Sequence, residues 1–584
     1  MSESLPRETV LRAIGNSILK HPLLWMLGIG ITWRALRWAL GMPLWGDEVM
    51  LALNILDRSA GELIQPLEMG QVAPPLFLLL HRLIFDITGT SEWSVRLPAL
   101  VFGLFGLLLF CRFAISVVRP SEVLVAVSVL AVSYYVVRYG SEFKPYSLDL
   151  AVAVCLYTVS QSFRCRRVSF WRASGFVLVV SSATFFSYPS VFVCGAILLV
   201  LSVESMSRKE WNRLMILGIT GSVFVVLFGV NYTMIIAPQQ QSISAAFLKM
   251  YWAAAFAPMG FPEFLEWFVR ASAGKLMAYP VGGKNFGSVV TLILFCAGIF
   301  ALVRRKDGFL LGVLLLPFVL TILASSFQLY PYGMSPRIAQ HLAPSICLLM
   351  GIGLVQLLSL SKRLNGDTGI KCVLVFLSIF GLAGMAENIA SPYKSKSDER
   401  VRNLVQEQFS DLGCLQYRVV NTMDTVPVNF LWYLSVRGNT LYGGEALTFE
   451  GREDNPICIW SFPQPDRRLE HATSRALLSA YVDKYPDVLS AYNLSAGTKA
   501  EYGLWHWENH GSKEGRSIAT AVKSPGSQRS VLDSWLEEHK NDVIVRLDQT
   551  GTGTSYGTQE DRRLDFPRDY RYRFVMLQRS TADF

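Results

Sequence analysis

The chain has 584 residues, of which 51% are hydrophobic and only 17% carry a formal charge, and its mean hydropathy is +0.34. A soluble multidomain protein of this length is less apolar, so the composition indicates a multi-pass membrane protein. The net charge of +9 is spread over short segments and forms no basic stripe interleaved with aromatic residues, which argues against a nucleic-acid partner.

Eleven apolar segments along the first two thirds of the chain predict transmembrane helices. The N-terminal residues include acids, and no small-residue cleavage site follows the first apolar segment, so we expect an uncleaved first span with a cytoplasmic N-terminus. Residues 1–390 are therefore predicted to form an all-α polytopic domain of about 11 transmembrane helices plus interfacial helices. The segments are 22–42, 97–118, 122–138, 146–163, 173–188, 189–204, 214–236, 286–303, 309–327, 338–358 and 372–390.

A twelfth apolar segment, 74–89, decides the topology of everything after it. It contains His81, Arg82 and Asp86, and it is shorter than the roughly 20 apolar residues that a span requires. If it does not cross the membrane, the basic clusters near 164–167, 208–209, 304–306 and 362–363 all lie in the cytoplasm, whereas they all lie outside if it does. The positive-inside rule therefore predicts an interfacial helix here, and it also predicts that 173–188 and 189–204 are two separate spans.

This topology places five segments on the extracytoplasmic side: the acids after the first span, the loops 138–146, 237–285 and 328–337, and the tail from about residue 391. The loop 237–285 is rich in aromatic and basic residues, which is typical of an interfacial lid over a substrate and equally of a plain surface helix. The bilayer is thus an obligatory partner of the chain.

The tail, 391–584, is predicted to be a soluble extracytoplasmic α/β domain. The pattern predicts helices at 398–409, 426–434 and 471–482, strands at 416–420 and 458–462, and a disordered insertion at 511–530. Seven of the nine cysteines lie in or beside apolar segments and are interpreted as small core residues. Cys414 and Cys458 lie in the tail and could pair if the tail occupies an oxidising compartment.

The acids Asp47 and Glu48 emerge directly after the first span, behind Trp45 and Gly46. A transferase that works at the membrane surface needs a carboxylate base within hydrogen-bond reach of an acceptor hydroxyl, and an acid in this place suits that role. The alternative is structural, with Asp47 as the N-cap of a helix over 48–56 and Glu48 as an acid in its first turn.

Charged residues in two further outer segments are candidate substrate contacts. In the loop 138–146 they are Arg138, Glu142 and Lys144, followed by Tyr146, although a local ion pair of Glu142 with Arg138 or Lys144 would explain the charges equally well. Arg337 and His341, four residues apart, are expected to share one helix face, where Arg337 could contact a phosphate or extend to the interface for packing.

Two arginines, Arg34 and Arg37, lie within the first span. Ionisable residues inside a span are costly and usually face a cavity or a partner. Arg37 lies near the outer end and could extend to the interface, whereas the deeper Arg34 is the better candidate for a lipid phosphate or an internal carboxylate.

These motifs together resemble the C-type (GT-C) polytopic membrane glycosyltransferases, and in particular the group of protein O-mannosyltransferases, aminoarabinose transferases and lipopolysaccharide galacturonosyltransferases. The features that carry the resemblance are the acid pair after the first span, Pro74-Pro75 opening the interfacial helix, and Glu142 two residues before Lys144-Pro145-Tyr146. The resemblance implies Asp47 as catalytic base, with Glu48 as a supporting neighbour and Glu142 as the facing acid. It also implies a polyprenyl-phosphate-sugar donor.

One departure from that group concerns a metal. In the aminoarabinose branch an acid stands just before the proline that opens the interfacial helix, whereas here the approach is Gln71-Val72-Ala73-Pro74. The resemblance therefore leaves a divalent metal open and implies no other cofactor.

The function predicted from these features is inverting transfer of a sugar to an extracytoplasmic lipid, glycan or protein at the cell membrane. Two other classes stay open: a secondary transporter or lipid flippase whose pathway Arg34 and Arg37 would line, and a non-catalytic envelope assembly protein. The transporter interpretation lacks paired Gly/Pro-broken spans in two symmetric halves. No phosphate-binding glycine loop or other nucleotide motif occurs, which argues against a nucleotide-sugar enzyme.

Overall fold

The computed structural model describes residues 17–165, 168–241, 249, 251–283, 287–360 and 366–412, and in the tail 416–420, 432–433, 440–442, 457–461, 543–555 and 568–579. The chain divides into two compact units. The larger comprises Met1–Met42 and Met50–Pro392, and the smaller comprises Pro43–Val49 and Tyr393–Phe584. The sequence did not predict that the segment with Asp47 and Glu48 would group with the tail.

The described residues of the larger unit form helices joined by turns and coil, with no strand among them. Short 3₁₀ turns occur at Glu62–Ile64, Ala253–Ala255, Lys275–Met277 and Pro336–Leu342, and a π turn occurs at Tyr232–Ile236. The helices are α1 (Ser17–Ala39), α2 (Gly46–Leu56, whose first turn belongs to the smaller unit), α3 (Pro75–Thr88), α4 (Glu92–Val117), α5 (Pro120–Val132), α6 (Tyr134–Tyr139), α7 (Tyr146–Cys165), α8 (Phe170–Phe186), α9 (Ser190–Ser207), α10 (Trp211–Asn231), α11 (Ala237–Gln241), α12 (Phe261–Ala273), α13 (Gly287–Arg304), α14 (Gly308–Ser326), α15 (Ala343–Leu360) and α16 (Gly366–Ala390).

Each of the eleven predicted segments overlaps a helix of this unit, although 122–138 is divided between two helices. Among the described residues six helical segments are long and apolar enough to cross a membrane: α4, α9, α10 with its continuation, α14, α15 with the turn before it, and α16. Helices α5, α8 and α13 are apolar but shorter. The protein is therefore a multi-pass membrane protein, and the count of eleven crossings stays a prediction.

Helices α13 and α15 pack with their backbones in close approach. A Cβ placed on Gly298 would collide with the Leu349 carbonyl oxygen, and one on Gly353 would collide with the Leu294 carbonyl oxygen. Small residues at such crossings let two backbones approach, which is how helices gain packing contacts in a membrane.

The prediction of one continuous helix over 122–138 is wrong, because the backbone breaks at Ser133 (φ −66°, ψ 118°) between α5 and α6. Such a break leaves carbonyl groups at the end of α5 without helical partners. Arg34 supplies donors to two of them, at 2.8 Å from the Ala131 oxygen and 3.3 Å from the Leu130 oxygen, and a third bond goes to Gly30. The amide of Tyr134 donates to the Pro280 oxygen at 2.9 Å.

Helix α3 occupies the segment 74–89, and the predicted topology depends on whether this segment crosses the membrane. Its 14 residues extend about 21 Å at 1.5 Å per residue, less than the ~30 Å hydrocarbon core. One face is buried, where the ring centroids of Phe77 and His81 lie 5.9 and 4.7 Å from that of Phe143. These features support the predicted interfacial helix. The predicted separation of 173–188 from 189–204 is confirmed, because α8 and α9 are distinct helices with a turn at 187–189.

Ion pairs join the helix ends that were predicted to lie on the cytoplasmic side. Arg164 at the end of α7 contacts Glu204 of α9 at 2.8 Å, and Arg208 reaches the same carboxylate at 2.7 Å. Arg305 after α13 pairs with the buried Glu122 at the start of α5. The basic clusters around 164, 208 and 305 therefore share one end of the larger unit, as the predicted membrane topology requires. The side of the membrane that this end faces stays a prediction.

The smaller unit contains α17 (Lys396–Leu412) and a five-stranded sheet of order β2-β1-β3-β5-β4. The strands are β1 (Gln416–Val420), β2 (Thr440–Tyr442), β3 (Ile457–Ser461), β4 (Val543–Ser555) and β5 (Arg568–Arg579). Strand β1 pairs in parallel with β2 and β3, whereas β5 is antiparallel to β3 and β4. Helix α17, β1 and β3 confirm predicted elements, and β2, β4 and β5 were not predicted.

Several tail predictions lie outside the described residues: most of the helix at 426–434, the helix at 471–482, the insertion at 511–530 and any bond between Cys414 and Cys458. The α/β class of the tail therefore stays a prediction. Of the seven membrane-unit cysteines, Cys111, Cys194 and Cys347 are buried as expected. The expectation is wrong for three others, Cys165, Cys296 and Cys372, which lie on exposed helix faces.

Candidate active site

The acid pair occupies the first turn of α2, which begins one residue before Asp47. The amides of Glu48 and Val49 donate to the Trp45 oxygen at 2.8 and 3.0 Å, so Trp45 is the N-cap. The Glu48 carboxylate accepts from the Trp45 amide at 3.3 Å, the return bond of a capping box. The interpretation of Asp47 as the cap is thus wrong, because the helix starts earlier and Glu48 has the capping bond.

The two acids consequently differ in their surroundings. Glu48 is 0% exposed and bonds to the backbone, whereas Asp47 is half-buried. Within the same unit the segment is held by Tyr433, whose hydroxyl accepts from the Leu44 amide at 3.2 Å, and by Lys394, whose ammonium lies over the Trp45 ring. Of the pair, Asp47 is therefore the better placed to exchange a proton with a ligand.

In the larger unit, the loop between α6 and α7 holds a buried ion pair. Arg138 Nε donates to Glu142 Oε1 at 2.6 Å, and both side chains are less than a tenth exposed. This local pair was one of the sequence-based alternatives, and it is present. Because charges are rarely buried for stability alone, the pair is compatible with a functional role as well as a structural one.

Lys144 contacts the segment just before α3. Its Nζ donates to Gln71 Oε1 at 2.6 Å, with both residues buried, so this hydrogen bond joins two different loops. Tyr146 begins α7 and its ring lies edge-on to Tyr139 at 5.0 Å between centroids.

Arg37 at the end of α1 joins this loop, donating from Nε to Ser141 Oγ at 2.9 Å. The Ser141 hydroxyl in turn donates to the Arg138 oxygen at 3.0 Å. Arg34, by contrast, is 0% exposed and bonds to three backbone carbonyls, a geometry that favours a structural role over the predicted phosphate or carboxylate partner.

Arg337 is held by two aromatic side chains of the long outer loop. Its Nη2 donates to Tyr251 Oη at 2.6 Å, and its guanidinium carbon lies 4.8 Å from the Trp252 ring centroid. Described parts of this loop pack firmly onto the unit, since the Ala255 oxygen accepts from the Tyr332 amide at 2.8 Å and from Ser325 Oγ at 3.1 Å.

Tyr139 shows that these charges form one cluster. Burial raises the pKa of its phenol well above the ordinary value, and the positive charges of Arg138 and Arg337 oppose that rise. Tyr139 is therefore a neutral hydroxyl close to both guanidinium groups. The cluster, defined as Arg37, Arg138, Lys144, Arg337 and Glu142, brings four cationic side chains and a carboxylate to the end of the larger unit that is predicted to be extracytoplasmic.

The expectation that Arg337 and His341 share one α-helical face is wrong. The segment 336–342 is a 3₁₀ turn kinked at Ala339 (φ −114°, ψ 16°), so a spacing of four no longer superimposes side chains. His341 is fully buried, with Nε2 at 3.3 Å from Thr321 Oγ1 and its ring near those of Phe192 and Tyr330.

The sequence interpretation missed Asp149, three residues into α7. Its buried Oδ1 accepts from Ser187 Oγ at 2.7 Å. Burial raises the pKa of the neighbouring Tyr330, and the Asp149 carboxylate raises it further. An acid inside an apolar segment was the signal that could have identified this residue.

No group of three or more His, Cys, Asp or Glu side chains that could hold a metal ion occurs within the described part of the chain. The question of a divalent metal therefore stays open, as it was at the level of sequence.

Residues 72–234 match the family described as dolichyl-phosphate-mannose-protein mannosyltransferase. The match includes Arg138, Glu142, Lys144 and Tyr146, while Asp47 and Arg337 lie outside it. It confirms the resemblance to GT-C glycosyltransferases that the loop motifs carried. Among curated proteins, no relative matches this chain.

Similar solved structures include ArnT from Cupriavidus metallidurans bound to undecaprenyl phosphate, with 11% identity, a TM-score of 0.48 and coverage of 77% of this chain and 94% of that one. ArnT in the apo state has 13% identity, a TM-score of 0.47 and the same coverage. The apo oligosaccharyltransferase of Archaeoglobus fulgidus has 10% identity, a TM-score of 0.44 and coverage of 73% and 64%.

Proposed function

We propose that the chain is a membrane glycosyltransferase that takes a sugar from a polyprenyl-phosphate-sugar donor and transfers it to an extracytoplasmic acceptor. The observation that carries the proposal is the family match over 72–234, because the buried cations and carboxylate of the loop 138–146 fall inside it. A positive cluster of this kind is suited to a phosphate, for which arginine offers a planar fork of donors and lysine a point charge.

The proposed reaction is a direct displacement at the anomeric carbon. Asp47 accepts the proton of the acceptor hydroxyl, the acceptor oxygen forms a bond to the anomeric carbon, and the bond from that carbon to the phosphate oxygen breaks. The polyprenyl phosphate leaves as an anion that Arg37, Lys144 and Arg337 stabilise, and the anomeric configuration inverts. Glu142 orients Arg138 through their ion pair.

The decisive experiment uses the purified chain in lipid nanodiscs with a panel of undecaprenyl-phosphate-linked sugars. Release of undecaprenyl phosphate together with glycosylation of an added lipid, glycan or peptide acceptor supports the proposal. A flippase would instead move the intact donor between leaflets of a vesicle without release. Such movement without any transfer would refute the enzyme and favour the transporter class.

Substitution Asp47→Asn tests the base. General-base assistance contributes typically 10²–10⁴-fold, so the transfer rate should fall by at least about 10²-fold while folding and donor binding persist. Helix α2 should tolerate the change, because the capping bond belongs to Glu48.

Glu48→Gln is the matched control for the base test. A glutamine oxygen can still accept from the Trp45 amide, so this variant should cost much less activity than Asp47→Asn. Near-complete transfer by Asp47→Asn, or loss of transfer only through misfolding, would remove Asp47 from the mechanism.

A further inference from the structure

Helix α12 (Phe261–Ala273) belongs to the long outer loop, and the roles above use only the segment before it. On its inner face Trp267 is buried against the larger unit. Phe261, Leu265 and Val269 are instead exposed, at 78, 54 and 55%. Since they are four residues apart, they fall within about 80° of one another around the helix. The helix therefore presents a stripe of large apolar side chains away from the unit.

A third face of α12 is charged. Glu263, Glu266 and Arg270 are exposed, and Glu266 pairs with Arg270 one turn later. A contiguous set of exposed apolar side chains beside such a polar face marks an interaction surface, whereas single exposed apolar residues need no explanation. The combination is typical of a helix that lies in the plane of a membrane surface.

The partner that this apolar stripe fits is the bilayer. Helix α12 packs against α13, an apolar helix of the same multi-pass unit. The first two turns of α13 expose Val289, Val290 and Ile293, so the surface beside α12 is apolar as well. Met259, directly before α12, is 81% exposed and extends the stripe at its start. The stripe thus adjoins a helix surface of the kind that lipid covers.

The buried face of α12 connects the helix to the candidate active site. Trp267 Nε1 donates to the Ala254 oxygen at 3.0 Å, within the 3₁₀ turn Ala253–Ala255. That turn directly follows Trp252, whose ring lies 4.8 Å from the guanidinium carbon of Arg337. One short turn therefore joins α12 to the aromatic contact of Arg337.

We propose that α12 is a membrane-docking helix: Phe261, Leu265 and Val269 insert into the adjacent lipid leaflet, and the docked helix holds Trp252 and Arg337 at the level of the lipid headgroups. A helix in the interface buries its apolar face about 5–10 Å into the boundary of headgroups and acyl chains, so groups fastened to it stay near that level. Docking is independent of the proposed function, whereas its use in presenting Arg337 to the phosphate of a lipid donor rests on that function.

The first test measures where the stripe lies. In a background without the nine native cysteines, a nitroxide is attached to Leu265→Cys or, as the matched control, to Glu266→Cys, and the full chain is placed in nanodiscs. Oxygen, which concentrates in the hydrocarbon, should relax the label at 265 more than a water-soluble nickel complex does. The label at 266 should show the reverse order.

Two other results would overturn the docking. If the nickel complex reached both labels equally, α12 would be a plain surface helix. If the label at 265 were shielded from both reagents and showed spin–spin broadening, the stripe would be covered by a second copy of the chain.

The second test keeps the native cysteines and measures the connection to the site. The triple variant Phe261→Ser, Leu265→Ser, Val269→Ser should bind undecaprenyl phosphate in nanodiscs at least about 10-fold more weakly, because apparent affinity falls with the fraction of molecules whose site is held in place. The matched control Glu263→Ser, Glu266→Ser, Arg270→Ser changes as many residues on the charged face and should bind as the wild type does.

Geranyl phosphate in detergent separates docking from damage to the site. Without a leaflet to dock into, the wild type and both triple variants should bind this short, soluble lipid phosphate equally. A loss confined to the apolar variant in detergent would assign the stripe a structural role, and equal affinities of all three proteins in nanodiscs would also overturn the connection to Arg337. A wild type that binds no undecaprenyl phosphate would refute the proposed donor, while the nitroxide measurement still decides the docking.

Discussion

At the scale of single residues, the buried arginines of the larger unit divide by the kind of acceptor they contact. Arg34 bonds to backbone carbonyls, Arg138 to a carboxylate, and Arg337 to a phenol and an indole face. A guanidinium stacked on aromatic rings keeps its charge, which suits it to an anionic ligand.

Arg337→Ala should therefore weaken use of the donor more than use of the acceptor. A lost hydrogen bond to a charged group costs roughly 1.5–3 kcal/mol, so the KM for donor should rise about 10- to 100-fold. Steady-state kinetics with each substrate varied in turn measure this difference. Tyr251→Phe is the control, because it removes the bond to Arg337 but leaves the guanidinium in place, and its effect should be smaller. A change confined to the KM for acceptor would refute the phosphate assignment.

The sequence predicted the local contacts of these residues better than their distant ones. The pair of Arg138 and Glu142 is four residues apart on one short segment, so spacing alone suggested it. The contact of Lys144 with Gln71 joins residues 73 positions apart. Nothing in the spacing of either segment specifies it, because it depends on how α3 and α7 pack.

At the scale of elements, the break between α5 and α6 shows how a buried arginine can replace missing helical hydrogen bonds. The apolar run 122–138 predicted one helix, because hydrophobicity does not reveal a change in ψ at Ser133. Strands β4 and β5 were missed for a different reason. The alternation typical of a strand is present in β5, where arginines and aromatic residues alternate over 568–574. This stretch lies outside the segments that the sequence analysis predicts as strands.

Arg34→Met should accordingly destabilise the larger unit rather than weaken donor binding. The substitution leaves the Leu130 and Ala131 carbonyls buried without their donor, at about 1–3 kcal/mol for each unsatisfied group. We expect a lower unfolding temperature of the purified protein with an unchanged KM for donor. Arg112→Met on the exposed face of α4 should change neither quantity. Unchanged stability with lost donor binding would restore the phosphate interpretation of Arg34.

At the scale of the whole molecule, the positions of the basic residues predicted which helix ends of the larger unit lie together. The clusters around Arg164, Arg208 and Arg305 lie together, and Arg37, Lys144 and Arg337 lie at the other end. The positive-inside rule is informative here because a single wrong crossing would move every later cluster to the other side at once, and the orientation in the membrane stays a prediction. It could not predict that 43–49 groups with the tail, since that grouping depends on contacts between distant parts of the chain.

Cysteine labelling tests the absolute orientation that the proposed mechanism requires. In a background without the nine native cysteines, a membrane-impermeant maleimide should label Lys396→Cys in right-side-out vesicles and Ser169→Cys only in inverted ones. Both positions are exposed, so accessibility to the reagent depends on the side of the membrane alone. Arg208→Cys, also exposed, should behave like Ser169→Cys if α8 and α9 each cross once, as predicted, and return the chain to the same side. Labelling of Lys396→Cys from the cytoplasmic side would refute an extracytoplasmic tail.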